Sequence, residues 1–163
     1  NLEKNIVMIV VIDNFLDNTS IISCITEFKD IKEAPELVKT IMDKANNYFD
    51  LSEMKYYEAW THENTIPGGM HYDKDELLYA EGELKFPLCS TVFYANVSDD
   101  IKGGKLLFED GVTIEPKFNR LVIFSPGLRH GVEPFRGKRT SININPWKYE
   151  IKNWTVDYEG STE

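Results

Sequence analysis

The chain has 163 residues, of which 42% are hydrophobic and 12% aromatic, a composition that supports one packed core and argues against disorder. Its 27 acidic and 18 basic residues give a net charge of -9, which argues against nucleic-acid binding and against docking on anionic membrane surfaces. The longest apolar run, Ile6 to Ile12, is too short to cross a bilayer. We therefore expect a single domain over residues 1–163, and the two cysteines favour a reduced, cytoplasmic setting.

The first part of the chain predicts one strand followed by two helices. The apolar run at 6–12 is typical of a buried strand. A first helix is expected to follow the capping residues 17–20. Its apolar side chains recur at helical spacing, at Ile21, Ile22, Ile25 and Phe28. A second helix is expected from Pro35 to Phe49, where an apolar stripe follows a proline suited to the first turn.

The second part of the chain predicts short strands separated by turns. The strands are expected at 55–62, 88–97, 104–108, 112–114, 120–124, 131–134 and 139–145. A turn is expected at 65–69 and an irregular loop at 76–87. Short strands at this spacing are typical of a sandwich or jelly roll. Because the helices come first, the pattern predicts an α+β fold in which helices brace one sheet.

Histidine and aspartate are the first candidate functional residues. The chain has three histidines, and one of them lies in His71-Tyr72-Asp73. On a strand, residues two apart project from the same side, so His71 and Asp73 can bind one metal ion. A surface histidine bonded to an aspartate is the more common explanation of this pattern alone. His130 follows an apolar strand and completes two histidines and a carboxylate, the ligand set of non-haem Fe(II) oxygenases. His62 is interpreted as structural.

Arg139 indicates an anion site beside this candidate metal site. Arg139, Ser141 and Asn143 alternate along the last predicted strand and so share one face. An arginine that points into a small barrel needs an anionic partner, because an unpaired buried guanidinium is costly. Its planar fork suits a carboxylate, and Ser141 can add a hydrogen bond. The alternative is that Lys138 and Arg139 form a charged turn on the surface.

Several short motifs occur together in this sequence. They are His71-x-Asp73, Gly103-Gly104-x-Leu106, His130-x-Val132 and Gly137-x-Arg139-x-Ser141, with the segments 11–16, 92–96 and 114–121. The combination resembles the Fe(II)/2-oxoglutarate-dependent dioxygenase superfamily, and within it the prolyl 4-hydroxylase branch most closely. The likeness extends over roughly the whole chain and is strongest from Met70 to Trp147.

The resemblance implies a fold and a set of site residues. The fold is a double-stranded β-helix core, of the jelly-roll or cupin-like kind, with N-terminal supporting helices. His71, Asp73 and His130 are expected to bind Fe(II), and Arg139 is expected to pair with the distal carboxylate of 2-oxoglutarate. The other residues expected to contact or line the 2-oxoglutarate pocket are Tyr94, Ser141 and Asn143. A further contact is expected from either Tyr57 or Trp60, and the spacing to His71 leaves both open.

The resemblance also implies an activity. It is an O2-dependent hydroxylation coupled to conversion of 2-oxoglutarate into succinate and CO2, with ascorbate as a supporting reductant. The expected substrate is a peptidyl residue such as proline, and the alternative is a free amino acid or another small molecule. A non-catalytic jelly-roll binding module that retains a metal is an alternative of another class. Arg139 argues against it, because a structural metal needs no anion partner. The acidic residues at 73–83 form either a solvated loop or a lid over a cationic or peptide substrate.

Overall fold

The computed structural model describes residues 7–65, 69–152 and 154. The strands are β1 (Ile9–Ile12), β2 (Glu27–Asp30), β3 (Tyr56–Glu63), β4 (Ser90–Val97), β5 (Lys102–Gly103), β6 (Leu106–Phe108), β7 (Thr113–Ile114), β8 (Leu121–Phe124), β9 (His130–Val132), β10 (Phe135–Arg136) and β11 (Arg139–Trp147). The α-helices are α1 (Glu36–Ala45) and α2 (Glu76–Ala80). None of the helices in these ranges is long and apolar enough to cross a membrane.

The strands form a large and a small antiparallel sheet that pack face to face. The large sheet has six strands in the order β1-β8-β4-β11-β3-β2, and the small sheet has three in the order β7-β6-β9. A two-stranded pair, β10-β5, lies beside them. Apolar residues of both sheets form one cluster, which includes Val92, Val122 and Phe124 from the large sheet and Leu106 and Phe108 from the small one. The predicted α+β jelly-roll fold is confirmed.

Helix α1 covers the other face of the large sheet. Its apolar stripe is fully enclosed, and Leu37 and Ile41 pack in the same cluster as Ile142 and Ile144 of β11. The intervening residues of β11 have their side chains on the opposite face, because side chains alternate along a strand. One face of β11 therefore belongs to the core beneath α1, and the other faces the space between the two sheets.

The first predicted helix is wrong. Residues Thr19–Ile21 form only a short 3-10 turn, and Phe28 lies on β2, where it pairs with Glu58 of β3. Most apolar residues of this stretch are isoleucines, whose branched Cβ suits a strand better than a helix. Pairing with the edge of β3 then provides hydrogen-bond partners for the backbone of β2. A local sequence pattern cannot show such pairing with a distant strand.

The other elements agree with the sequence more closely. Each strand predicted between residues 55 and 145 is present, with ends that differ by at most two residues. The second predicted helix is α1, shorter than expected at both ends. The predicted loop at 76–87 contains the short helix α2, which Asp75 caps by accepting a hydrogen bond from the backbone of Leu78 at 3.1 Å. The turn expected at 65–69 lies largely outside the described residues.

Gly103 and Gly104 lie where the chain passes very close to Pro134 and Arg139. Both glycines have positive φ angles, 81° and 83°. A Cβ on Gly103 would collide with the carbonyl oxygen of Pro134, and a Cβ on Gly104 would lie 3.1 Å from Cδ of Arg139. Glycine is therefore required here for two reasons, the left-handed backbone and the closeness of its neighbours.

Candidate metal centre and anion pocket

His71 and His130 lie directly opposite each other. They form a single antiparallel bridge, in which each backbone N–H donates to the carbonyl of the other, at 2.8 and 2.9 Å. Oδ1 of Asp73 lies 3.7 Å from Nε2 of His71 and 3.4 Å from Nε2 of His130. The candidate ligand atoms of the three residues all lie within 4.8 Å of one another. The structure thus brings together the three residues that the sequence singled out.

Neighbouring groups orient these three side chains. Nδ1 of His71 lies 3.2 Å from the carbonyl of Gly69, and Nδ1 of His130 lies 2.8 Å from the carbonyl of Leu128. A carbonyl oxygen only accepts, so Nδ1 carries the proton when the ring is neutral, and Nε2 is then the nitrogen that can bind a metal. The hydroxyl of Ser90 donates to Oδ2 of Asp73 at 2.7 Å. Oδ1 and the two Nε2 atoms are left as the three donors of the site.

The electrostatics favour a cation at this position. Burial alone would raise the pKa of Asp73, but His130, His71 and the hydroxyl of Ser90 hold the pKa of that carboxyl below its usual value. Burial lowers the pKa of His71, so its imidazole is neutral and able to bind a metal. Burial also opposes the charged form of His130, but the attraction of Asp73 outweighs it and the pKa of His130 is raised.

The donor set fits the group that the sequence resemblance implies. Two imidazole nitrogens and one carboxylate oxygen suit a divalent transition metal such as Fe(II) and leave further positions for other ligands. The ring of His130 packs against Phe124 at 4.8 Å and Phe108 at 6.2 Å between ring centroids. These aromatic contacts hold the imidazole in place and restrict water on one side of the cluster.

Arg139 is a buried cation without an anionic partner. Its exposed fraction is 2%. Its Nε donates to the carbonyl of Gly104 at 3.1 Å, and its Nη atoms lie 3.4 Å from the Ser141 hydroxyl and 3.5 Å from the Tyr94 hydroxyl. In residues 7–65, 69–152 and 154, Arg139 forms no ion pair. Burial lowers the pKa of Arg139, yet a guanidinium stays charged at neutral pH, so this pocket is suited to an anion.

Tyr94, Ser141, Asn143 and Trp60 lie on the same face of the large sheet as Arg139, and Tyr57 does not. Tyr94 is fully buried and its ring centre lies 5.1 Å from the guanidinium carbon of Arg139. Ser141 contacts Arg139, and Asn143 has a buried Oδ1 without a hydrogen-bond partner in the described structure. Asn143 pairs across strands with Trp60, which places Trp60 on the pocket face of β3. Tyr57 packs in the opposite core, where its hydroxyl donates to Glu27.

His62 lies outside the three-residue cluster, and two residues of the site, Ser90 and Glu58, were not predicted from the sequence. His62 packs edge-on against Trp60 and is not a member of the three-residue cluster. Ser90 was missed, since nothing local marks a serine at a strand start as a partner of Asp73. Glu58 was also missed. Glu58 could have been noticed as a charged residue within β3, a strand that is rich in aromatic side chains.

Glu58 is a second buried carboxylate on the pocket face. Its Oε1 accepts from Nδ2 of Asn145 at 3.1 Å and from Nε1 of Trp147 at 2.9 Å, and its Oε2 accepts from Nε1 of Trp154 at 2.8 Å. Burial raises the pKa of Glu58 to about 7, although these three hydrogen bonds oppose the rise. Trp147 and Trp154 thus have a structural role, as donors to one carboxylate.

We predict that Ser90→Ala lowers the affinity of the cluster for a divalent metal by about 10- to 100-fold, the usual cost of losing a group that orients a metal ligand. Calorimetric titration with Mn(II) measures this affinity. Thr91→Ala is the control, because Thr91 is the next residue on β4 and its hydroxyl donates to the carbonyl of Ile144 at 2.6 Å. Equal metal affinities for the two variants would contradict the role assigned to Ser90.

Glu58 is expected to make stability depend on pH. A carboxyl whose pKa is higher in the folded than in the unfolded protein binds its proton more tightly when folded, so its contribution falls as pH rises from about 4.5 through about 7. We expect the difference in unfolding free energy between wild type and Glu58→Gln to decrease by on the order of 3 kcal/mol between about pH 5 and about pH 8. Urea unfolding at both pH values measures it. A pH-independent difference would show that the carboxyl is not perturbed.

Comparison with known proteins agrees with this arrangement. The family model of the 2OG-Fe(II) oxygenase superfamily matches residues 60–147, more than half of the chain. The chain is similar to the crystal structure of a Pseudomonas putida prolyl-4-hydroxylase, at 23% identity over 75% of this chain and 71% of that chain, with a TM-score of 0.51. It is also similar to the viral collagen prolyl hydroxylase of Paramecium Bursaria Chlorella virus-1 in its 2OG complex, at 16% identity over 87% of this chain and 96% of that chain, with a TM-score of 0.54.

At these identities the likeness to solved structures shows the shared fold. No curated protein matches the sequence. The family match begins within β3 and ends with β11, and its range includes His71, Asp73, His130 and Arg139. The resemblance seen in the sequence is confirmed, and the chain belongs to the 2OG-Fe(II) oxygenase superfamily.

Proposed function

We propose that this chain is an Fe(II)- and 2-oxoglutarate-dependent dioxygenase that hydroxylates a peptidyl residue such as proline, with succinate and CO2 as co-products. His71 and His130 hold Fe(II) through Nε2, and Asp73 holds it through Oδ1. Arg139 binds the distal carboxylate of 2-oxoglutarate. The observation that carries the proposal is the buried guanidinium of Arg139, which forms no ion pair in the described part of the chain and lies on the pocket face of the sheet.

In this proposal the protein residues orient the reactants and limit water. When bound, Fe(II) and 2-oxoglutarate supply the O2 chemistry, and oxidation of 2-oxoglutarate to succinate and CO2 balances insertion of the second oxygen atom into the substrate. Ser90 keeps Oδ2 of Asp73 engaged, so that Oδ1 alone faces the metal. Arg139 and the hydroxyl of Tyr94 fix the far end of the 2-oxo acid.

A surface beside the cluster supports a peptide substrate. Segment 76–87 follows Asp73 closely and exposes apolar side chains, with Tyr79 at 55% and Leu84 at 46%. Glu76 and Glu83 of this segment form ion pairs with Lys74 and Lys85, and exposed Glu81 leaves the rim with a net negative charge. This rim is complementary to apolar and basic side chains of a substrate. A peptide can present both kinds at once more readily than a free amino acid can. The similar proteins named above are prolyl hydroxylases, which supports proline as the residue modified.

Further parts of the proposal follow the sequence-based expectations. O2 is the oxidant and ascorbate a supporting reductant. One domain spans residues 1–163, and the setting is cytoplasmic. The net charge of -9 supports a substrate that is neither nucleic acid nor membrane lipid.

Anaerobic titration of the metal-free protein with Fe(II) and then 2-oxoglutarate tests the site. A visible metal-to-ligand charge-transfer band is expected, followed by its decay and formation of succinate when O2 is added. His130→Ala is expected to abolish Fe(II) binding. Arg139→Ala is expected to keep Fe(II) but to weaken 2-oxoglutarate by about 30-fold, since a charged hydrogen bond contributes about 2 kcal/mol.

Iron binding without the band would contradict the 2-oxoglutarate assignment and would favour a metal-containing binding module. Unchanged 2-oxoglutarate affinity in Arg139→Ala would show that Arg139 does not bind the distal carboxylate.

Succinate formation tests the substrate class. We expect proline-containing peptides with basic and apolar neighbours to stimulate it more than free proline or other free amino acids. The double substitution Tyr79→Ala/Leu84→Ala is expected to raise the KM for such a peptide by about tenfold, the loss expected for two partly buried apolar contacts, with the KM for 2-oxoglutarate unchanged. Val11→Ala is the control, because Val11 is similarly exposed but lies on edge strand β1. Equal stimulation by free amino acids would support a small-molecule substrate instead.

A further inference from the structure

Asn64 bonds the main chain of Arg139 at two points. It directly follows β3 and has a φ angle of 56°, in the left-handed region that few residues other than glycine adopt. Its backbone N–H donates to the carbonyl of Arg139 at 2.8 Å. Its side-chain Oδ1 accepts from the backbone N–H of Arg139 at 2.9 Å. The two contacts enclose the peptide groups on both sides of the Arg139 Cα.

The side chain of Asn64 takes the place of a sheet bond. Glu63 and Thr140 form the last residue pair between β3 and β11. In a regular antiparallel ladder the next pair, Asn64 and Arg139, would exchange two backbone hydrogen bonds. The left-handed turn at Asn64 keeps one of these bonds, and its amide oxygen replaces the backbone carbonyl in the other. Asparagine suits this position because it tolerates positive φ and carries an acceptor on a short side chain.

The other side of β11 is irregular next to Arg139. The register between β11 and β4 shifts between Thr140 and Ser141, and Arg139 pairs with Val97 on the far side of this shift. The guanidinium itself has weak restraints, since its Nη contacts are 3.4 and 3.5 Å long. The space is also tight, as a Cβ at Gly104 would lie 3.1 Å from Cδ of Arg139. The direction of the side chain therefore depends on where its main chain is held.

We propose that Asn64 is a positioning residue for the anion pocket, which holds the main chain of Arg139 so that the guanidinium meets the distal carboxylate of the 2-oxo acid. This inference rests on the proposed function of Arg139. It assigns to Asn64 no contact with the metal or with the reacting atoms. Asn64 therefore affects the affinity only for ligands that carry a second carboxylate.

Asn64→Gly is the test variant, because glycine keeps the left-handed backbone and the backbone N–H and removes only the amide oxygen. The dissociation constants of 2-oxoglutarate and of pyruvate are measured on the Fe(II)-loaded protein without O2. Pyruvate has the same 2-oxo acid group and no distal carboxylate. We expect the preference for 2-oxoglutarate over pyruvate to fall about three- to tenfold, with pyruvate and Fe(II) affinities unchanged. Exchange of the Arg139 amide proton, followed by NMR, is expected to become faster.

Asn14→Gly is the matched control. Asn14 also has a positive φ, at 51°, and it is exposed on the segment that follows β1. We expect it to leave the preference unchanged. The inference is overturned if Asn64→Gly retains the wild-type preference, or if it weakens both 2-oxo acids equally. Failure of the proposed function would give a different result. If the wild-type protein binds 2-oxoglutarate no better than pyruvate, the role of Arg139 is contradicted, and the role of Asn64 with it.

Discussion

Alternation along β11 assigns each of its residues either to the core beneath α1 or to the candidate site. Ile142 and Ile144 pack in the core, and Arg139, Ser141 and Asn143 face the pocket. A slip of one residue would exchange the two sets, placing a guanidinium in the apolar cluster and isoleucines on the face of the candidate site. Burial of each isoleucine contributes about 1.5 to 3 kcal/mol, so the packing that stabilises the fold also fixes the register of the site. Because β3 and β4 pair with β11 on either side, that register is passed on to Trp60 and Tyr94.

Two buried carboxylates on the pocket face show how the surroundings decide charge. Asp73 has two imidazoles and a hydroxyl around it, and its pKa is held below its usual value despite burial. Glu58 accepts three N–H donors but forms no ion pair in the described part of the chain, and burial raises its pKa to about 7. Hydrogen bonds alone thus do not offset the loss of hydration at Glu58. The negative charge is therefore maintained at the carboxylate that lies between the two histidines, as a site for a cation requires.

The sequence predicted those features that depend on local alternation and on side-chain chemistry. The strands from residue 55 onwards could be predicted because apolar periodicity and turn residues mark them, and His71, Asp73 and His130 stood out because few histidines occur in the chain. Strand β2 could not be predicted, because its existence depends on pairing with β3 rather than on its own residues. Ser90 and Asn64 were missed for a related reason. Each acts through hydrogen bonds to a residue distant in sequence, Ser90 to Asp73 and Asn64 to Arg139, and such bonds leave no local pattern.

The anion pocket is braced from outside by two asparagines in the left-handed conformation. Asn64 holds the main chain of Arg139, and Asn119, with a φ of 63°, donates its backbone N–H to the carbonyl of Tyr94 at 2.9 Å. The Asn119 side chain also bonds both backbone groups of Leu16, which ties this turn to the start of the chain. The main chains of Arg139 and Tyr94 are therefore each held by hydrogen bonds from a distant turn. By contrast, segment 76–87, which lies close to Asp73 in the chain, exposes Tyr79 and Leu84, so the enclosed side chains around Arg139 and this exposed surface form two distinct environments.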